Sequence, residues 1–470
     1  RKLNLEADAE PFLRETLKID RLDAWARWLA GEPFAWDAQT AIDVATDYAR
    51  AGLFADATAL LEQTKVEPLS GAEPLIQYYL ASFYEKAGRK SEARKAARKA
   101  KAANSDYCFP SRLEEIIVLK EALQRDFSED KAAYYLGNLY YDRRRYDEAI
   151  SLWEKSARAN PAFSIVWRNL GIAYFNVRND ARKARSAYEK ALKANPTDPR
   201  LVYERDQLWK RLGIPTQERL SELEKRRGQV DQRDDATLEL CSLYNQTGQA
   251  EKALKILETR KFQPWEGGEG QALGAHVRTH LALGRAALAG GNGSAAIIEF
   301  TAALNPPESL GEARHLLANQ SDVWFWLGEA YASVGRTKDA RHWWQRAAEA
   351  RGDFQEMAVK AYSEMTYFSA RALERLGKAA PARKLLRDLA KYARDLARTP
   401  AKIDYFATSL PTMLLFEDDL TKRQQTQALF MQAQAALGLG RKAEAKKHVA
   451  SVLARDPSHA GAADLITENI

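Results

Sequence analysis

Two cysteines in 470 residues leave no disulfide framework. Cys108 and Cys241 lie far apart in sequence, and a reducing compartment is compatible with them. No apolar run approaches the roughly 20 residues of a membrane-spanning helix, so no membrane partner is expected. There is no glycine-rich phosphate loop, no nucleophile elbow and no cysteine spacing for a metal. No catalytic residue, cofactor or metal site is therefore assigned. His276 and His280 stand four apart, a spacing that two metal ligands can use, but no third ligand or metalloprotease glutamate accompanies them. They are read as structural. Charge of one sign is also scarce, with 71 basic against 64 acidic residues. The excess is densest over Lys86–Lys101, where eight Lys or Arg face only Glu92. No aromatics interleave there, so this is a solvated helix face and not a nucleic-acid surface.

What is present is repetition. Leu136-Gly137-x-x-Tyr140 is followed by Ala149, Trp153 and Pro161, and 34 residues later Leu170-Gly171-x-x-Tyr174 is followed by Ala184, Tyr188, Ala191 and Pro196. A third copy holds Trp324, Leu327-Gly328, Tyr331, Ala340, Trp344 and Ala347. This resembles the tetratricopeptide pattern, a helix–turn–helix unit with a period of about 34. The glycine of the first helix and the alanine of the second let the two lie close. The following aromatic is expected to fill the groove toward the next pair, and the proline ends the unit. One hairpin cannot bury its apolar face alone, so units must stack.

Weaker copies put small residues in the glycine slot at Ala45, Ala81, Cys241, Gly284, Ala370 and Ala433, while Asp206 breaks the pattern after Gly171. The fold class expected is all-α, a right-handed superhelix of about ten tetratricopeptide-like units. One solenoid is expected over 1–470, with its best repeats at 130–213 and 320–352. A hydrophobic content of 46% with 29% charge suits amphipathic helices.

The spacing breaks mark insertions near 101–128, 262–272, 305–319 and 393–425. Insertions in such arrays often gather on the binding face. Phe262-Gln263-Pro264-Trp265-Glu266-Gly267-Gly268-Glu269-Gly270 combines three glycines, an indole and two carboxylates. A second segment is Pro306–Glu312, and a third runs from Asp404-Tyr405-Phe406 to Phe416-Glu417-Asp418-Asp419. Aromatic faces beside carboxylates suit sugar rings. The alternative is that glycines turn the chain, aromatics cover the core and acids cap helices. Candidate binding residues here are Trp265, Glu266, Glu269, Asp404, Tyr405, Glu417 and Asp418. A second candidate strip, on the concave face of the best repeats, comprises Asn138, Asp142, Arg168 and Asn169. Some tetratricopeptide domains grip the carboxylates of chaperone tails with Lys, Asn and Arg. The matching positions here are Tyr134, Asn138, Asn169, Arg200 and Glu204, and the tyrosine and glutamate disfavour that partner.

The strings Tyr135–Asp142, Trp167–Gly171, Arg233-Asp234-Asp235, Pro264–Gly270 and Asp404–Ala407 resemble a family of large bacterial proteins. In that family a repeat region follows an N-terminal β-rich domain similar to mutarotase-type sugar-binding sandwiches. The resemblance implies carbohydrate metabolism through a domain that lies outside this sequence. The chain begins at Arg1 inside what reads as a repeat, so a fragment is expected. The expected function is a non-catalytic, cytoplasmic scaffold that holds a protein partner or its own upstream domain. The alternative is a carbohydrate-active protein in which loops 262–270 and 404–419 complete a sugar site.

Overall fold

The computed structural model describes residues 6–32, 35–67, 69–126, 128–265, 267–355, 358–402 and 415–467. Among these are 25 α-helices and a single short hairpin of sheet, so the fold is an all-α solenoid of helix pairs. The chain divides into two compact units, 1–195 and 196–470.

The first unit holds α1 (Glu6–Ile19), α2 (Ala24–Ala30), α3 (Ala38–Arg50), α4 (Phe54–Gln63), α5 (Glu73–Lys86), α6 (Lys90–Ala102), α7 (Leu113–Arg125), α8 (Asp130–Asp142), α9 (Tyr146–Ala159), α10 (Ser164–Asn176) and α11 (Ala181–Ala194). Helix α7 is the extra helix that the long spacing before Gly137 predicts. The second unit holds α12 (Pro199–Arg211), α13 (Thr216–Lys225), α14 (Arg227–Val230), α15 (Asp234–Gln246), α16 (Ala250–Thr259), α17 (Gln271–Ala289), α18 (Gly293–Leu304), α19 (Ser321–Ser333) and α20 (Thr337–Glu349). It continues through strands β1 (Asp353–Gln355) and β2 (Ala358–Lys360), then α21 (Met365–Arg375), α22 (Ala379–Arg398), α23 (Leu420–Gly438), α24 (Lys442–Arg455) and α25 (Ala460–Thr467).

Each strong repeat is welded by one contact. A Cβ placed on Gly137 would stand 2.5 Å from the Trp153 indole; on Gly171, 2.6 Å from the Tyr188 ring; on Gly284, 2.3 Å from Phe300; on Gly328, 2.3 Å from Trp344. The aromatic of the second helix therefore lies on the glycine of its own hairpin, which corrects the expectation that it reaches toward the next pair. The indole of Trp153 also donates to Tyr134 O (3.2 Å) and Asn138 Oδ1 (3.0 Å), both on the first helix of that hairpin. Trp153 and Trp344 are buried, as are Ala149, Ala184 and Ala340. The tight turn between helices needs a left-handed residue. Gly335 supplies it in one repeat at φ 76°, whereas Arg144 adopts φ 58° in another. A side chain there costs about 1 kcal/mol or more relative to glycine.

The break at Asp206 has a physical content that repeat-matching did not foresee. The fully buried Arg219 of α13 binds the Asp206 carboxylate through Nε (3.0 Å) and Nη2 (2.7 Å). The same Nη2 reaches Glu239 Oε1 of α15 at 2.7 Å, and Lys210 adds a further contact at 3.0 Å. Burial raises the Glu239 pKa, but Lys210 and Arg219 outweigh it and bring it down to about 2. Where other repeats pack an aromatic on a glycine, this one buries an ion pair.

That ion pair also clasps the far end of the unit. Arg219 Nη1 donates to Ser458 Oγ (2.9 Å), and Gln246 Nε2 to Ser458 O (2.7 Å). Asp464 of α25 then takes Arg278 at 3.1 Å and Arg285 at 3.4 Å, both from α17. The end of the second unit thus returns to its beginning.

Candidate functional site

Because the last hairpin of the second unit meets the first, the unit lines a half-open cavity of about 1330 Å³. Its wall is made chiefly by the first helices of successive hairpins, α17, α19, α21 and α23, with Tyr392 and Leu396 of α22 and the residues of α25 completing it. The described flanks of all three late insertions join that wall: Pro264 and Gly267–Gly270, Glu312–His315, and Ala401, Lys402 and Leu420. Two of these segments hold each other. Phe262 N donates to Ser309 O (2.8 Å), and Glu312 caps α17 by accepting from Gly270 N (2.5 Å) and Ala272 N (2.8 Å).

A fourth insertion lies between Gly328 and Ala370. It carries β1 and β2, paired antiparallel with Phe354 opposite Val359, and brings Phe354, Lys360, Tyr362 and Glu364 to the cavity. His315 stacks on Phe354 at 3.7 Å. The 42-residue spacing from Gly328 to Ala370, longer than 34, is the sequence signal for it.

Most charges on this wall have partners. Arg278 and Arg285 share Asp464, Arg423 pairs with Asp418 at 3.2 Å, and Arg314 donates to Ala303 O at 2.7 Å. Two carboxylates stand apart. Asp322, at the start of α19, accepts the N–H of Val323 (2.8 Å), and Glu364 precedes α21; neither forms an ion pair among the described residues. Burial pushes Asp322 up to about 6, against the pull of Arg314 and Arg285. Burial, reinforced by Asp353, pushes Glu364 up to about 7. Gln434 of α23 is 2% exposed; its Nε2 donates to Glu364 O at 3.2 Å while its Oε1 has no partner among the described residues. The Nε1 of Trp326, on the same wall, likewise has no partner among the described residues. Asp322 and Glu364 escape sequence reading because an acid at a helix start reads as a cap.

The residues singled out from sequence fall as follows. Trp265 is half-buried, and its ring covers Gly268, where a Cβ would come within 1.9 Å of it, while the glycines rather than the indole line the cavity. Glu269 accepts from Gly267 N (2.9 Å) at the cavity edge. Glu266, Asp404 and Tyr405 lie outside the described residues. Glu417 and Asp418 are exposed, with Phe416 buried between them and the Arg211 guanidinium at 5.5 Å. In the first unit Asn138 accepts from Trp153 and from Asn169 Nδ2 (3.2 Å), and Arg168 reaches Asn169 Oδ1 (3.4 Å). Asp142 stands off this ladder, exposed and near Arg143 (3.5 Å).

Other candidates resolve into structure. His276 Nε2 donates to Ala302 O (3.1 Å), and burial brings its pKa down to about 4, so the ring is neutral. His280 Nδ1 meets Glu299 at 2.8 Å. No group of three metal-binding side chains occurs among the described residues. Both cysteines are buried and unbridged, and burial pushes their thiols up to about 12. No helix among the described residues is long and apolar enough to cross a membrane.

Family models for the tetratricopeptide repeat match residues 119–162 and 134–199, and another matches 427–459. The chain thus carries tetratricopeptide repeats, in an all-α solenoid. Similar solved structures include MamA from MSR-1, at 20% identity over 42% of this chain and 97% of that one, with a TM-score of 0.24. A tetratricopeptide repeat protein from Parabacteroides merdae matches at 16% identity over 62% and 98%, with a TM-score of 0.27. YrrB, described as a TPR protein with an unusual peptide-binding site, matches at 14% over 49% and 91%, with a TM-score of 0.21.

Proposed function

We propose that this chain is a non-catalytic scaffold that holds an extended protein segment, from a partner or from another domain of a longer bacterial chain. The observation that carries this reading is the cavity of the second unit. At about 1330 Å³ it exceeds the roughly 300–1,000 Å³ that encloses a small molecule. Its wall alternates aromatic rings, side-chain amides and charges of both signs, which suits a peptide's mixed chemistry. The Asn138–Asn169–Arg168 ladder gives the first unit a polar strip of its own, on which a segment's backbone can hydrogen-bond.

A carbohydrate is the second reading. It is favoured by the aromatic and carboxylate content of the same wall, and by the loop from Pro264 to Gly270 at its edge. In that reading Trp265 with Glu266 or Glu269, and Asp404, Tyr405, Glu417 and Asp418 from the third insertion, complete a site with an upstream β domain.

Gly274 supplies the test. It lines the cavity on α17, and a Cβ added to it meets nothing within 4 Å. Gly274→Trp should obstruct the cavity without disturbing the helix. Wild-type chain should bind a fluorescent decapeptide pool saturably, and the variant should lose that binding. Equal binding by both removes the cavity from the function, and binding only to an oligosaccharide array favours the second reading.

A further inference from the structure

We propose that the cavity of the second unit receives a lysine or arginine side chain of the bound peptide, with Asp322 and Glu364 as its counter-charges. This rests on the peptide-binding reading above and names the chemistry that reading leaves open.

The arginines of the wall are committed: Arg278 and Arg285 to Asp464, Arg423 to Asp418, Arg314 to Ala303 O. Lys360 and Lys402 are long, and their ammonium groups can stay in water while their stems line the wall. Asp322 and Glu364 have no such freedom. They sit at the starts of α19 and α21, two first helices that pack on each other. A carboxylate in such a wall without a cation is unfavourable, and a cation delivered by a ligand relieves it. The upward displacement of both carboxyls by burial agrees with this.

Gln434 is the independent witness. Its side chain is almost wholly buried, it lines the same cavity, and its Oε1 accepts nothing from the described residues. Buried amide oxygens normally have a partner. Among the described residues the Glu364 carboxylate and the Gln434 amide oxygen are open acceptors, and Asp322 holds only the N–H of its neighbour Val323. The side chains that offer several donors, no acceptor and a positive charge are the ammonium of lysine and the guanidinium of arginine. Trp326, Tyr362 and Phe368 add ring faces to the same wall, and such faces attract these cations. The unpartnered Trp326 N–H fits a peptide carbonyl. A neutral sugar would satisfy hydroxyl-type hydrogen bonds but bring no counter-charge to either carboxylate.

The test uses the full chain and a double variant, Asp322→Asn with Glu364→Gln, against positional-scanning decapeptide libraries. Both replacements are isosteric and remove charges that burial disfavours, so thermal melting should confirm an intact fold. Wild type should prefer sublibraries with fixed Lys or Arg over those with fixed Asp or Glu by about tenfold, the equivalent of one charge-assisted contact. The double variant should still bind peptides but lose that preference. Peptide binding without a cationic preference, or a preference the double variant keeps, overturns this inference alone. A wild-type chain that binds no peptide, or only oligosaccharides, overturns the peptide reading and this inference with it.

Discussion

The two units build their interior-facing polar groups differently. In the first, Trp153, Asn138, Asn169 and Arg168 satisfy one another in a chain of hydrogen bonds from 3.0 to 3.4 Å. In the second, the buried ion pair Arg219–Asp206 is just as complete, yet the cavity wall of the same unit leaves Asp322, Glu364 and Gln434 without equivalents among the described residues. Completed networks hold a fold together, whereas vacant acceptors of one kind mark where something else belongs.

The largest expected effect lies in the second unit. Arg219→Met leaves Asp206 buried without its cation and Glu239 with Lys210 alone, and should cost roughly 3–5 kcal/mol in denaturant unfolding at pH 7. Adding Asp206→Leu should recover much of that loss. If Arg219→Met alone costs no more than a surface substitution, the ion pair is not what closes the unit. The same network sets an acid limit. Glu239 has a folded pKa near 2, below its unfolded value near 4.5, so its contribution is complete above pH 4.5 and is lost as pH falls toward 2.

In the first unit the matching experiment is Gly171→Leu. It drives a side chain into Tyr188 and should cost roughly 1–3 kcal/mol. An unchanged melting temperature would show that the hairpins tolerate what their glycines exclude.

Glu364→Gln tests the vacant acceptors directly, and its sign reverses the Glu239 case. Here the folded pKa is raised, to about 7, so folding favours the protonated acid. The wild-type chain then loses stability as pH rises from about 4.5 to 7, and the glutamine variant should not. The variant should match wild type at pH 4.5 and exceed it at pH 8 by roughly 1–3 kcal/mol. Identical stability profiles would mean that Glu364 is already compensated.

The smallest effect is Arg144→Gly. Relieving a left-handed arginine in the turn after α8 should stabilise the first unit by no more than about 1 kcal/mol, read as a small rise in melting temperature.

These differences also explain what was legible beforehand. The glycine-to-aromatic spacing gave the helices, their pairing and even the degenerate place at Asp206, because a close contact demands a particular residue at a particular distance. It could not give Arg219 on Asp206 and Ser458, since partners 239 residues apart leave no periodic trace. The insertions were visible as broken spacing, but which of their side chains face inward was not. Trp265 looked like a platform because indoles and glycines suit ligands, and the loop instead lays the indole over its own Gly268. Asp322 and Glu364 were hidden in plain sight as ordinary helix-start acids.

The clasp between Arg219 and Ser458 also orders events in time. Every hairpin of the second unit closes over a few tens of residues, while the clasp must close a loop of more than two hundred, at a greater entropic cost. Local pairs should form first and the clasp last. During synthesis the cavity therefore has walls well before it has a closure. Until α25 has emerged and docked, a partner segment has an open side through which it can be laid in whole, without being threaded end-first.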